Sequence, residues 1–151
     1  MGSSTPALGN WHLLRLKIAH NLAKINRASM GKVLTIEDDV LLRETLTEIL
    51  EVYGHTVFQA EDGEVGVAMF FESSPDLVLC DINMPKMDGL EVLKKLKVSI
   101  GEADMPPFIF LSAKTEKKNI QQALDLGAVD FVSKPYSAPE LLKLIDSRLN
   151  E

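Results

Sequence analysis

The feature that most constrains this chain is a regular alternation of short apolar runs with amphipathic segments. Five runs predict β-strands, and each is followed by a segment whose apolar residues recur at helical spacing. The strands are predicted at 32–36, 56–60, 76–80, 107–111 and 130–133, and the helices at 40–53, 63–73, 90–98, 115–126 and 138–149. Five consecutive strand–helix units predict an α/β domain with an all-parallel sheet, right-handed crossovers and helices on both faces.

A single domain fits the length and the composition. At 151 residues, with 46% hydrophobic and 25% charged side chains, the chain has the ordinary balance of one folded domain. No apolar run approaches the roughly 20 residues needed to cross a bilayer, and the N-terminus lacks the apolar core of a secretory signal. The single cysteine, Cys80, lies in an apolar run, which favours a packed core thiol in a reducing compartment. We therefore expect a cytoplasmic protein without a transmembrane segment.

Charge divides the chain into two parts. Residues 1–31 hold four basic residues and no acid, whereas residues 32–151 hold the other 12 basic residues and all 22 acidic ones, a net charge of −10. An acidic surface disfavours direct contact with nucleic acid, because phosphates need a basic surface. We therefore expect the domain at 32–151 to bind a cation or a basic partner surface, without direct nucleic-acid contact.

The basic part, residues 1–31, is predicted to be an extension outside the domain. Its apolar residues recur at helical spacing with basic residues between them, which predicts a basic amphipathic helix: Trp11, Leu14, Ile18, Leu22 and Ile25. Such a helix can dock on a membrane surface or on a partner helix. Another interpretation stays open, in which the first four residues belong to an expression tag, Met30 is the native start, and the extension is disordered or incidental.

Polar side chains follow four of the five predicted strands, at the point where each strand ends. Acids follow the first and third strands, a serine the fourth and a lysine the fifth: Glu37, Asp38, Asp39, Asp81, Ser112 and Lys134. Taken alone, several of them have an ordinary alternative role. Asp38 or Asp39 could cap the next helix, Ser112 could do the same after the fourth strand, and Lys134 could be a solvated loop residue. In an open parallel sheet, however, ligands bind beyond the carboxyl ends of the strands. Agreement at four strand ends therefore predicts a functional site at this edge.

The chemistry of these side chains favours a magnesium ion and a phosphoryl group. Two carboxylates about 4 Å apart repel each other by about 4 kcal/mol at an effective dielectric constant of about 20, so clustered acids need a counter-ion. Oxygen ligands suit Mg²⁺, and the absence of His and Cys from these loops argues against zinc or copper. With this charge neutralised, Asp81 can attack phosphorus as a carboxylate nucleophile and form an acyl phosphate. Lys134 and the metal would stabilise the transferring oxygens, and Ser112 would hydrogen-bond one of them.

Four stretches together resemble the receiver domain of bacterial two-component response regulators. They lie at 33–39, 77–89, 110–113 and 127–135 and read VLTIEDD, LVLCDINMPKMDG, FLSA and GAVDFVSKP. The resemblance spans residues 32–150, and the second stretch combined with the late Lys-Pro is highly specific. It implies a CheY-like, flavodoxin-like (βα)5 fold with the strand order 2-1-3-4-5.

The resemblance also implies roles for the residues of the predicted site. Asp81 matches the aspartate that is phosphorylated in the family, and Lys134 matches the invariant lysine of the family. Mg²⁺, or Mn²⁺ in its place, would be held by Asp81, by Asp38 directly, by Glu37 mainly through water, and by the backbone carbonyl of Asn83. The resemblance therefore assigns the metal and the phosphoryl group to neighbouring positions at one edge.

A switch and protein partners follow from the same resemblance. Ser112 would turn toward the phosphoryl group and Phe131 would move inward after it, although Phe131 fits a plain core aromatic residue equally well. This change would shift the population of the surface formed by the fourth and fifth strand–helix units. A sensor histidine kinase or histidine phosphotransfer protein would dock near the first helix, and a downstream protein would bind the switched surface. We expect a signalling receiver rather than an enzyme, with self-phosphorylation and dephosphorylation as its only reactions.

Other functions fit the sequence less well. A small-molecule phosphatase of the haloacid-dehalogenase type needs a second acid two residues after the nucleophile, where this chain has Asn83. A flavin-binding flavodoxin needs a glycine- and hydroxyl-rich phosphate loop in the place of the acids at 37–39. A receiver-like module that binds partners without phosphorylation stays open as the alternative. Because the sequence ends at Glu151, two residues after the last predicted helix, we expect no output domain in this chain.

Overall fold

The computed structural model describes residues 12–17, 30–113, 117–128 and 130–150. Five strands alternate with five helices in these ranges. The strands are β1 (Lys32–Ile36), β2 (Thr56–Ala60), β3 (Leu77–Asp81), β4 (Phe108–Ala113) and β5 (Asp130–Lys134). The helices are α1 (Val40–Val52), α2 (Gly63–Ser73), α3 (Gly89–Ile100), α4 (Lys117–Asp125) and α5 (Ala138–Leu149), and a 3-10 turn, Glu102–Asp104, follows α3.

The strands form one parallel sheet in the order β2-β1-β3-β4-β5. The predicted fold class and strand order are therefore confirmed. The register sets the residues at the carboxyl edge, since Ile36 pairs with Cys80, Asp81 pairs with Leu111, and Ala113 pairs with Lys134. The order of the strands reverses between β1 and β3, which is where such sheets place their ligands.

Apolar side chains cover both faces of the sheet. One face packs beneath α2, α3 and α4 around the buried phenylalanines Phe70, Phe108 and Phe110, and the other packs beneath α1 and α5 around buried leucines and isoleucines. The central strand β3 is buried at every position, as expected for a parallel strand covered on both faces. Cys80 lies in this strand as a buried free thiol, which confirms the predicted core position.

Helix ends follow the chemistry expected from the sequence. The Asp39 carboxylate accepts a hydrogen bond from the Leu42 backbone N–H at 3.1 Å and so caps the first turn of α1. Gly54 and Gly127 follow the ends of α1 and α4 with φ angles of +94° and +97°, a backbone conformation that costs glycine little. Of the two acids considered as a cap, Asp39 therefore has this role, which leaves Asp38 for the sheet edge.

The observed elements differ from the predicted ones at their boundaries. Strand β3 begins and ends one residue later than predicted, because backbone pairing continues to Asp81, opposite Leu111. Strand β4 extends two residues beyond its predicted end, so Ser112 lies within the strand instead of after it. Helix α3 extends to Ile100. These differences move the polar residues into the last positions of the strands and therefore fix their backbones more firmly.

The predicted N-terminal helix falls mostly outside the described residues. Residues 12–17 are helical and exposed, with Leu13, Leu14 and Leu16 between 44% and 59% accessible. Among the described residues, no helix has both the length and the apolar character needed to cross a membrane. Whether residues 1–31 form a unit separate from the domain stays a prediction.

Substitution of Gly89 tests how tightly α3 begins against the end of β3. A Cβ atom at this position would overlap the backbone oxygen of Asp81 and lie 2.9 Å from the ring of Phe110. We expect Gly89→Ala to lower the free energy of unfolding by about 2 kcal/mol or more, since this overlap outweighs the roughly 1 kcal/mol gain in helix propensity. The exposed substitution Lys94→Ala on the same helix should change it by no more than about 0.5 kcal/mol in urea unfolding. Equal effects of the two substitutions would contradict the tight approach.

Candidate functional site

Three carboxylates converge at the carboxyl edge of the sheet. Glu37 and Asp38 follow β1 directly, and Asp81 is the last residue of β3, the neighbouring strand. Carboxylate oxygens of the three residues all lie within 4.8 Å of one another. Glu37 and Asp81 are buried whereas Asp38 is exposed. Among the described residues this is the one cluster of three or more metal-ligating side chains so closely spaced, and it joins the residues that the sequence predicted.

Lys134 reaches this cluster from β5, the edge strand that lies two positions from β3 in the sheet. It ends β5, and its Nζ lies 2.8 Å from Glu37 Oε1 and 3.3 Å from Asp81 Oδ2. The ammonium group therefore bridges the first acidic loop and the end of the central strand. Sequence reasoning brought Lys134 to this edge but did not predict its hydrogen bond to Glu37, which joins residues 97 positions apart.

Burial and mutual repulsion change the ionisation of these groups. Burial, followed by the nearby charge of Glu37, raises the pKa of Asp81 to about 7, although Lys134 acts in the opposite direction. Partial desolvation and the neighbouring Glu37 also raise the pKa of Asp38 above its usual value. Burial alone would lower the pKa of Lys134, but its contacts with Glu37 and Asp81 outweigh this effect and raise it. One ammonium group is therefore too little charge to balance three carboxylates.

The donor set fits a hard divalent cation. Among the residues that the structure describes, one lysine contacts these three carboxylates. When all are ionised, this local group keeps two net negative charges, which a divalent ion would balance. Carboxylate oxygens and backbone carbonyls are the ligands that Mg²⁺ takes, usually together with several waters. The exposed Asp38 carboxylate leaves the cluster open to solvent on one side. The residues present therefore fit a magnesium site.

The remaining predicted residues lie around this cluster. Ser112 is buried near the end of β4, one residue after Leu111, which pairs with Asp81. Asn83 is exposed in the loop that follows β3, two residues after Asp81. Phe131 is partly buried on β5 and packs against the core beneath α2, α3 and α4. The structure thus places Ser112 and Asn83 beside the cluster in the sheet and along the chain, and Phe131 against the core, while their roles stay predictions.

One residue that contacts the site was missed by the sequence reasoning. Arg43, on the first turn of α1, donates a hydrogen bond from Nη1 to the backbone carbonyl of Glu37 at 2.7 Å. The signal that could have identified it is its position four residues after the helix cap Asp39, on the turn closest to the acidic loop. Arg43 therefore links the helix to the residue that Lys134 also contacts.

An exposed apolar surface borders the acidic cluster. Val40, Leu41 and Leu42 form the first residues of α1, and their exposed fractions are 56%, 72% and 40%. They follow Glu37, Asp38 and Asp39 without interruption in the chain. Exposed leucines beside a polar rim are typical of protein-binding surfaces, and this exposed apolar patch lies at the same edge as the cluster.

Comparisons with known proteins agree on one family. The family model described as the response regulator receiver domain matches residues 33–146. The chemotaxis protein CheY of Bacillus subtilis is 36% identical over 120 residues, which cover 79% of this chain and 98% of that protein. The transcriptional regulatory protein DltR of Streptococcus agalactiae is 38% identical over 120 residues, 80% of this chain but 52% of that protein. The chain thus spans about half the length of the transcriptional regulators of this kind that it matches.

Solved structures show the same architecture. The chemotaxis protein CheY4 of Vibrio cholerae superimposes with a TM-score of 0.73 at 28% identity, covering 79% of this chain and 98% of that one. The N-terminal domain of an uncharacterized protein from Wolinella succinogenes superimposes with a TM-score of 0.72 at 34% identity, covering 79% and 94% of the two chains. The likeness in fold therefore agrees with the match in sequence to the response regulator receiver domain.

The raised pKa of Asp81 predicts an unusual dependence of stability on pH. Because the folded carboxyl holds its proton up to about pH 7 while an unfolded aspartate loses it near pH 3.9, the folded state binds more protons in this interval and stability falls as pH rises. In EDTA, Asp81→Asn should be more stable than the wild type, by an amount that grows by on the order of 2 kcal/mol between about pH 5 and about pH 8.

Urea unfolding at both pH values measures this difference, and Asp104→Asn in the exposed 3-10 turn is the control for the loss of one acid. The control should show the same stability difference from the wild type at both pH values. An advantage of Asp81→Asn that is independent of pH would contradict the buried, repelled carboxyl.

Proposed function

We propose that this chain, which belongs to the response regulator receiver family, is the phosphoacceptor of a two-component relay in which Asp81 accepts the phosphoryl group. The observation that carries the proposal is the meeting of Glu37, Asp38, Asp81 and Lys134 at one edge of the sheet. The nucleophile, the acids for a counter-ion and a cation for the transferred group are together there. The function is that of a signalling module rather than of an enzyme acting on a separate substrate.

In the proposed reaction, a carboxylate oxygen of Asp81 attacks the phosphorus atom of a phosphohistidine. The new P–O bond forms as the P–N bond breaks, the electron pair of that bond leaves with the imidazole, and an aspartyl phosphate results. Lys134, whose Nζ lies 3.3 Å from Asp81 Oδ2, would stabilise the phosphoryl oxygens. Ser112, near the end of the adjacent strand β4, would donate a hydrogen bond to one of these oxygens in the product.

The acidic residues would hold Mg²⁺, or Mn²⁺ in its place. Asp38 and Asp81 would contribute carboxylate oxygens, Asn83 its backbone carbonyl, and Glu37 a contact mainly through water. When bound, the ion neutralises carboxylate repulsion and the charge on the phosphoryl oxygens. Since the pKa of Asp81 is raised to about 7 without a cation, cation binding also favours the ionised nucleophile.

Phosphorylation would act as a switch by adding charge to this pocket. A phosphoryl group carries about −1.5 to −2 charges at neutral pH, and Ser112 and Lys134 are the groups that would turn toward it. Phe131, which packs at the flank of the core, would move inward as Ser112 shifts. The result would be a population shift of the surface built from β4, α4, β5 and α5, which a downstream protein would bind.

The phosphodonor would be a sensor histidine kinase or a histidine phosphotransfer protein docked at α1. The exposed Val40, Leu41 and Leu42 offer it an apolar surface, and the acids at the end of β1 favour basic residues around its histidine. A cytoplasmic location, where the free thiol of Cys80 stays reduced, belongs to this proposal. Contact with nucleic acid is not part of it, because the domain is acidic.

Phosphorylation by a small donor tests the acceptor directly. Incubation with acetyl phosphate and Mg²⁺ should add one phosphoryl group, visible in the intact mass. Hydroxylamine should remove it, because its nitrogen attacks the acyl carbon of an acyl phosphate, forms a hydroxamate and releases phosphate. Asp81→Asn should abolish the addition, EDTA should prevent it, and Asp104→Asn should leave it unchanged. A wild-type chain that binds partners but takes no phosphoryl group would instead support a receiver-like module independent of phosphorylation.

A substitution on α1 tests the docking surface. Leu41 is 72% exposed, so Leu41→Ser should cost little stability but remove apolar contact area from the protein donor. We expect phosphotransfer from a histidine phosphotransfer protein to slow by about tenfold, since about 1.4 kcal/mol of lost contact corresponds to that factor.

The rate with acetyl phosphate should stay unchanged in the same variant, because a small donor needs no docking surface. Val98→Ser on α3, where the side chain is 89% exposed, is the matched control for both donors. Equal slowing with both donors would place the effect at the site rather than at the docking surface.

A further inference from the structure

The backbone carbonyl of Glu37 lies just beyond the last strand pair of β1. The strand ends at Ile36, which pairs with Ala60 on one side and Cys80 on the other. The next carbonyl needs a hydrogen-bond donor from elsewhere, because a buried unpaired carbonyl is costly. Arg43 supplies this donor through Nη1 at 2.7 Å. The guanidinium group therefore extends the bonding of β1 by one residue into the acidic loop.

Arg43 also takes part in the turn that leads from β1 into α1. Its backbone N–H donates to the Asp39 carbonyl at 2.9 Å, the first hydrogen bond of the helix. Its side chain reaches back over that turn to Glu37, six residues earlier. Backbone and side chain together thus close the loop that carries Glu37, Asp38 and Asp39. A change in the side chain acts on the loop and leaves the helix bond in place.

Glu37 is held by further contacts from separate parts of the fold. Its N–H donates to the Ala60 carbonyl at 3.1 Å, its Oε1 accepts from Lys134, and its Oε2 accepts from the Asp39 N–H at 3.2 Å. With the bond from Arg43, strand β2, strand β5, the loop itself and helix α1 all fix this one residue. Glu37 is only 3% exposed, so its position sets where the following Asp38 begins.

Arg43 does not act here as an ion-pair partner. The ion pairs among the described residues involve Lys97, Lys134 and Arg148, and none of the carboxylates in that part of the chain lies within 4 Å of the Arg43 guanidinium. Its close partner is a neutral carbonyl, to which a charged donor bonds more strongly than a neutral one does. This geometry fits a residue that fixes backbone rather than one that neutralises the acids.

We propose that Arg43 is a positioning residue for the divalent cation, which holds the acidic loop through the Glu37 carbonyl so that Asp38 and Glu37 face Asp81. The inference rests on the proposed function, since it concerns the cation of that site. Residues that orient ligands through such hydrogen bonds commonly change metal affinity by about 10- to 100-fold when they are replaced.

A positioning role and a purely electrostatic role of Arg43 predict opposite changes in Mg²⁺ affinity when its guanidinium group is removed. Removal of a positive charge near an acidic cluster strengthens the binding of a cation, because the repulsion between two cations is lost. Removal of a bond that orders the ligands weakens it, because binding then has to order the loop. The sign of the change in Mg²⁺ affinity therefore distinguishes the two roles of the guanidinium group.

The experiment is a titration of the metal-free chain with Mg²⁺ alone, followed by the amide NMR shifts of residues 37–39 and 81–83. Arg43→Met removes the charge and the donors but keeps a long apolar stem that suits a helix. Arg43→Lys keeps the charge on a shorter group without the planar fork. Lys143→Met on α5 is the control, since it removes one exposed positive charge from another helix.

We expect the Kd for Mg²⁺ to rise about tenfold in Arg43→Met, to rise less in Arg43→Lys, and to change by less than about twofold in Lys143→Met. A merely structural role would lower the melting temperature in EDTA without changing the Kd. An unchanged or lower Kd in Arg43→Met would overturn the proposal, and if that variant does not fold, a Kd in Arg43→Lys equal to that of the wild type would do so. A wild-type chain that binds no Mg²⁺ would instead count against the proposed function itself.

Discussion

Repulsion among three carboxylates at one sheet edge is the constraint on which the rest of this structure depends. Glu37, Asp38 and Asp81 come within 4.8 Å of one another, a separation at which each pair opposes folding by a few kcal/mol when it is poorly screened. Lys134 offsets part of this cost by contacting two of the three. Burial, together with the repulsion from Glu37 that remains, raises the pKa of Asp81 to about 7. An arrangement that costs stability in this way is typical of a site kept for its chemistry.

The fold can hold these acids together because their backbones are fixed by strands. Asp81 closes a strand that is buried at every position, and Glu37 directly follows its neighbour β1. A flexible loop would separate like charges at little cost, whereas a parallel sheet covered on both faces does not adjust one strand end independently of the next. The helix that follows β3 adds to this rigidity, because Gly89 brings its first turn against the Asp81 carbonyl. The sheet therefore keeps the repulsion in place, and the proposed cation would relieve it.

Sequence reasoning predicted the elements and the edge well, for a physical reason. Runs such as 77–80 bury apolar side chains on both faces, and this signal is local, so the strands and the approach of Asp81 to Glu37 could be read directly. The hydrogen bond of Lys134 to Glu37 could not, because it depends on side-chain conformations 97 residues apart. Arg43 looked like any polar residue on an amphipathic helix, since its partner is a backbone carbonyl that has no sequence signature. The observed strand ends differ from the predicted ones by one or two residues, because pairing with a neighbouring strand determines where a strand ends.

The hydrogen bonds of Glu37 affect which of the two neighbouring acids, Glu37 or Asp38, could ligate a cation directly. One carboxylate oxygen of Glu37 accepts from Lys134 and the other from the Asp39 N–H, so both are engaged before any cation arrives. Asp38 next to it is exposed to solvent. A cation therefore meets less competition at Asp38 than at Glu37, where it would have to displace an ammonium group or share an oxygen with it. For the proposed cation, these hydrogen bonds would therefore favour direct ligation by Asp38 and contact through water for Glu37.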